Sequence, residues 1–166
     1  MKVAVVPSHA SRTAALGLFV LSSALSVSAP AFAQAGLSTL VGSWGGSGRI
    51  TYTDGSSEGI RCTAFYSGGG SELRMAIQCR SDKNPIHIRS SLKISGNRAS
   101  GQWEERTFNA SGTASGTVSG GSMSLAISGG GFSGSMSVSF GQASHSLSIS
   151  AQGIAMRRAT MSFSRR

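Results

Sequence analysis

The chain reads as an all-β protein, an antiparallel meander of about eight to ten strands that closes into a barrel. Three observations predict this. Apolar and polar residues alternate with a period of two from Trp44 nearly to Phe163. Turn signals rich in Gly, Asn and Asp break the alternation at short intervals. No window after residue 36 places apolar residues at the i, i+3, i+4 spacing of an amphipathic helix. Closure removes the exposed edges that a long Ser/Gly-rich sheet would otherwise carry, and a β-sandwich is the alternative arrangement.

The first segment is not part of that pattern. Lys2 and Arg12 make its start positive, it holds no acidic residue, and an apolar run follows over 14–25. Ala31-Phe32-Ala33 then forms a small-x-small site before Gln34. This order is that of a secretory signal, with cleavage expected after Ala33. Ser22, Ser23, Ser26 and Ser28 dilute the run below what a retained membrane span requires. The expected organisation is a signal peptide over 1–33 and one β-barrel domain over 34–166, periplasmic or secreted.

The strands follow in order. Residues 44–53 place Trp44, Ile50 and Tyr52 on one face, and Asp54-Gly55 marks a turn. Ile60, Cys62, Ala64 and Tyr66 share a face, and 67–71 (SGGGS) reads as a hairpin loop. Leu73, Met75, Ile77 and Cys79 continue the alternation up to a polar connection ending at Pro85. Ile86, Ile88, Leu92 and Ile94 line a fourth strand, with Ser95-Gly96-Asn97 turning the chain again. Ala99, Gly101 and Trp103 make a fifth, and Phe108, Ala110, Ala114 and Val118 a sixth. Met123, Leu125 and Ile127 then precede a turn at Gly129-Gly130-Gly131, and Phe132, Met136, Val138 and Phe140 make the eighth. Leu147 and Ile149 anchor the ninth; Ala155, Ala159, Met161 and Phe163 mark the tenth. The Ser/Gly-rich stretch 111–150 is read as strands rather than linker, because Met123, Leu125 and Ile127 keep one phase through it.

Cys62 and Cys79 are the only cysteines. An even count in an exported domain predicts a disulfide. A hairpin centred on Gly69 would set Cys62 opposite Met75 or Ala76. The bond therefore requires a longer loop centred nearer Gly70-Ser71, or a bulge.

Composition bounds the partners. Beyond Ala33 the chain holds 13 basic and six acidic residues, a net charge of +7, and 11 of the 13 are Arg. Such a surface suits envelope anions such as anionic lipid or polysaccharide. Nucleic acid is not expected: the charges are scattered, no basic run precedes Arg157-Arg158, and no aromatic-basic interleaving is present. No catalytic constellation is found. His87 falls on the outer phase with Arg89, His145 on the apolar phase, and no Gly-x-Ser-x-Gly elbow joins a strand to a helix. Glu104 and Glu105 are adjacent, so they face opposite sides of a strand and are expected to offset Arg106 in a turn. No enzyme activity, cofactor or metal site is expected.

Gly42-Ser43-Trp44 resembles the Gly-x-Trp motif of lipocalins and related ligand-binding barrels. The resemblance implies that Trp44 closes the barrel floor beneath an Arg from a late strand, with Arg157 or Arg158 in that role. The run GSW, DGSSEGIRC and LRMAIQC is also similar to small exported β-rich proteins of alphaproteobacteria, a likeness that brings no activity with it.

The leading expectation is an exported barrel that binds a small apolar or anionic amphipathic ligand in a cavity. That cavity would be lined by Trp44, Ile50, Tyr52, Ile60, Met75, Ile77, Ile88, Leu92, Phe132, Met136 and Phe140. Many Gly, Ala and Ser residues are expected to leave additional room inside. The alternatives are a non-catalytic envelope protein using its Arg-rich face, and a small outer-membrane barrel with its apolar face turned to lipid.

Overall fold

Strict alternation needs two environments, one dry and one wet, and a closed sheet supplies both. The computed structural model describes residues 36–83 and 85–166. The expected export segment lies outside the described residues. Ten strands run in chain order: β1 (Gly42–Tyr52), β2 (Ser57–Gly69), β3 (Glu72–Arg80), β4 (Pro85–Ser95), β5 (Arg98–Glu105), β6 (Ala110–Ser119), β7 (Ser122–Gly129), β8 (Phe132–Phe140), β9 (Ser144–Gln152) and β10 (Met156–Arg165). Each pairs antiparallel with the next, and β1 pairs with β10 to close the barrel. The arrangement is a barrel rather than a sandwich.

The apolar phase points inward and forms one core that includes Ile60, Leu73, Ile77, Leu92, Met123, Val138 and Leu147. The other phase points outward and is hydroxyl-rich. Ser124, Ser137, Ser148 and Thr160 sit opposite one another across four consecutive strands, which accounts for the Ser/Gly composition without any linker. Phe65 and Phe108 are the exposed large apolar side chains among the described residues. This polarity is the reverse of a lipid-embedded barrel, whose outer band is apolar. Among the described residues no helix is long and apolar enough to cross a membrane.

Inward glycines do not leave space; they let the wall bend. A Cβ on Gly48 would overlap the Thr160 carbonyl oxygen of the neighbouring strand, and one on Gly101 would overlap that of Ser91. The backbones close in where a side chain would have stood, as at the corners of a strongly coiled barrel. The extra interior room expected from these residues is therefore taken up by main chain.

Cys62 faces Cys79 directly across β2 and β3 and the two are disulfide-bonded, with Cα atoms 4.0 Å apart. The hairpin turns tightly on the two residues Gly70-Ser71, with Gly70 at φ +62°, so neither the expected longer loop nor a bulge is needed and both strands run further than the 67–71 loop reading allowed. Three other details depart from the sequence reading. Phe108 lies in the turn between β5 and β6 and is 62% exposed, because Asn109 at φ +50° ends that turn before β6 begins at Ala110. Ala155 is exposed and precedes β10, because a bulge makes Thr51 pair with Arg158 but Tyr52 with Met156. Arg157 is the extra residue, so the inward phase passes from Ala159 to Met156 rather than to Ala155. A short 3-10 turn, Ser38–Leu40, precedes β1.

Candidate functional site

The two ends of the barrel differ. At one end the chain before β1 forms a lid, with Leu37 and Leu40 buried beneath it. Trp44 is fully buried there and its indole Nε1 donates to the Leu40 carbonyl at 2.7 Å. The Arg165 guanidinium lies over the Trp44 ring, 4.4 Å from its centroid, and donates to the carbonyls of Thr39, Val41 and Gln142. The arginine that covers Trp44 is thus Arg165. Arg157 and Arg158 are both exposed, next to the bulge where β10 begins at the opposite end. One cation stitches the lid, the floor tryptophan and the β8–β9 connection together.

Below the lid lies a buried polar pair. His145 is 3% exposed, stacks on Phe163 at 4.6 Å and meets the edge of Trp44 at 4.6 Å. Its Nε2 shares a 3.0 Å hydrogen bond with the Tyr66 hydroxyl, while Nδ1 is buried without a partner. Burial lowers the imidazole to about 4 from its ordinary 6.5, so the ring is neutral near pH 7. Burial likewise pushes the Tyr66 phenol up. No carboxylate among the described residues pairs with His145, so the pair lacks the acid that would orient a catalytic base.

The other end is less completely covered. The apolar side chains only partly buried against the core are Tyr52, Ile86, Ile88, Trp103, Phe132 and Met156, and all six project inward from strand ends at this mouth. Trp103 and Phe132 lean together with ring centroids 5.1 Å apart, and Trp103 Nε1 donates to the Thr113 carbonyl. Two polar atoms sit among them: Glu58 Oε2 and Ser90 Oγ are buried with no partner. The Tyr52 hydroxyl donates to Glu58 Oε1, a bond that raises the phenol to about 12. Lys83 lies over the Tyr52 ring at 4.8 Å. Glu105 fastens the rim, accepting from the backbone N–H groups of His87 and Phe108, both at 2.7 Å. Glu104 pairs with Arg106 at 3.9 Å.

All eleven residues expected to line a cavity point inward. Trp44, Ile50, Ile60, Met75, Ile77, Leu92, Met136 and Phe140 are buried in the packed core, whereas Tyr52, Ile88 and Phe132 stand at the mouth. Trp103, Ile86, Met156 and Glu58 complete the mouth and are not among the residues expected to line a cavity. Alternation alone puts Ile86, Trp103 and Glu58 on the inward phase near their strand ends, whereas Met156 turns inward only through the bulge. His87 is exposed on the outer wall. Among the described residues no three His, Cys, Asp or Glu side chains gather as metal ligands would.

No protein-family model and no curated protein matches the chain. Among solved structures, the chain is similar to the crystal structure of Rv2717c from M. tuberculosis, with a TM-score of 0.68 at 17% sequence identity. The alignment covers 81% of this chain and 97% of that one, and at this identity the likeness is one of fold.

Proposed function

We propose that this barrel is an exported, non-catalytic binding module whose less covered end takes a small apolar or amphipathic ligand. The observation that carries the reading is the segregation of half-buried apolar side chains to one mouth, opposite a sealed floor. Apolar residues left incompletely covered around an opening gain free energy from a ligand that completes their burial, at about 25 cal/mol per Å². The unpartnered Glu58 Oε2 and Ser90 Oγ favour a ligand whose polar end can donate, such as a hydroxyl or an amine. An anionic head would instead sit outward, against Lys83 at the rim. The disulfide accords with export, because such bonds persist in oxidising compartments.

Native mass spectrometry of protein taken from the bacterial periplasm tests this. The expected result is an added lipid-sized mass that is lost when Ile88 is changed to Asp. Bare polypeptide, with no uptake of added long-chain alcohol, contradicts the reading.

A further inference from the structure

The outer wall carries a second feature that ligand binding at the mouth does not use. A groove of about 1270 Å³ crosses the outside of β10, β1, β2, β3 and the start of β4. Its floor is the side-chain-poor run Gly45-Gly46-Ser47-Gly48 of β1 and Gly59 of β2. A Cβ on Gly59 would meet nothing within 4 Å, which is a direct measure of the open space there.

Three guanidinium groups stand around this floor. The pairing of Cys62 with Cys79 forces Arg61 opposite Arg80 on the neighbouring strand, and the Arg166 side chain folds over Gly45 from the other side. Like charges directly opposite across a sheet are unfavourable, so this arrangement costs stability unless an anion occupies it. The ion pairs among the described residues are Arg74–Glu72 and Arg106–Glu104, and none involves these three arginines. Among the described residues, Asp82 supplies the acidic side chain that lines the groove.

Shape and chemistry narrow the occupant. Five strands set the groove's width at roughly 19 Å, four spacings of about 4.8 Å, which is far longer than one phosphate or carboxylate. The residues that line it from the outer phase are Gly, Ser, Thr, Gln, Arg, His and Asp, while Ile60, Cys62 and Cys79 belong to the buried core. The described residues that line it thus offer no outward apolar anchor for an acyl chain and no Phe, Tyr or Trp on which a base could stack. Thr63, Gln78, Ser162 and Ser164 supply hydroxyl and amide groups between the arginines, as a sugar chain requires.

We infer that this groove binds a segment of an acidic polysaccharide, the arginine forks taking ring carboxylates and the hydroxyl groups taking the sugar. Arginine presents a planar pair of donors matched to a carboxylate, so each contact is directional as well as charged.

Titration calorimetry of the intact protein with hexagalacturonate tests the inference, with maltohexaose as the neutral control. We expect saturable binding of the uronate oligomer and none of maltohexaose. Arg61→Gln with Arg80→Gln should weaken binding at least tenfold, whereas Lys93→Gln with Arg98→Gln, an equal loss of charge away from the groove, should change it less than twofold. Gly59→Leu fills the floor without changing charge and should also weaken binding at least tenfold. Failure of hexagalacturonate to bind overturns the inference. So does an equal loss in both charge-reduced pairs, unimpaired binding by Gly59→Leu, or stronger groove-dependent binding of phosphatidylglycerol vesicles or single-stranded DNA. Arg61 and Arg80 lie on the outer phase, so the Arg61→Gln, Arg80→Gln pair should leave binding of a ligand at the mouth unchanged and the two proposals fail separately.

Discussion

Acidification should unfold this protein partly through one side chain, His145. The ring is neutral in the fold and titrates at about 4, against 6.5 in an unfolded chain. Between those values the unfolded chain takes up a proton that the folded chain refuses. The stability linked to this group is complete above pH 6.5, falls as the pH drops, and levels off below about 4. At pH 4 the accumulated loss is about 3 kcal/mol. The comparison is a Tyr66→Phe, His145→Phe double variant, which removes both hydrogen-bond partners and leaves no buried orphan. The acidic residues titrate in both proteins, so the difference between the two stability curves isolates His145. Urea unfolding followed by circular dichroism at pH 7, 6, 5 and 4 should show the wild type losing about 3 kcal/mol relative to the double variant. Parallel curves would refute the reasoning, and would mean that His145 is charged or solvated in the fold.

Three further outcomes follow from the packing. Replacing Cys62 and Cys79 together by Ala should cost about 3 kcal/mol in urea unfolding under oxidising conditions, the entropy of a closed loop of this length, and reduction should make wild type and variant converge. Gly48→Ala should cost about 2 kcal/mol, because its Cβ overlaps the Thr160 carbonyl, whereas Gly59→Ala has open space and should be neutral or gain about 0.5 kcal/mol. Arg165→Ala should cost about 1–2 kcal/mol, and in a Trp103→Phe background it should shift Trp44 emission to the red as the lid frays.

Much of this fold is legible in the sequence because a barrel wall repeats one rule. Most inward residues are apolar or small, so phase alone places Ile60, Met75, Leu92 and Met136 in the core. The cysteines go further, since two residues that must touch fix the register of a hairpin, and the strained pairing around Gly69 resolves into a turn at Gly70-Ser71. Phase fails where the ladder slips. The bulge at Arg157 leaves no mark in composition, and it moves Ala155 out and Met156 in. The Gly-x-Trp resemblance implies only an Arg from a late strand, hence Arg157 or Arg158, whereas Arg165 is the residue at that end of the barrel. The outer groove was missed for a different reason. Net charge points to an Arg-rich face but not to where it lies, although pairing Cys62 with Cys79 already requires Arg61 to oppose Arg80. The difference between the two ends depends on the lid before β1 and on how far each side chain is covered, which alternation does not encode.

The mouth proposed to take a small apolar molecule carries its own fluorescent probe. The chain has two tryptophans, Trp44 buried at the floor and Trp103 half-buried at the mouth. Titration with 11-bromoundecanol, whose bromine quenches indole at contact, reads the mouth directly. Saturable, one-to-one quenching is expected, disappearing in Trp103→Phe and weakening at least tenfold in Ile88→Asp. Quenching that fails to saturate, or that persists undiminished in Trp103→Phe, would contradict the proposal.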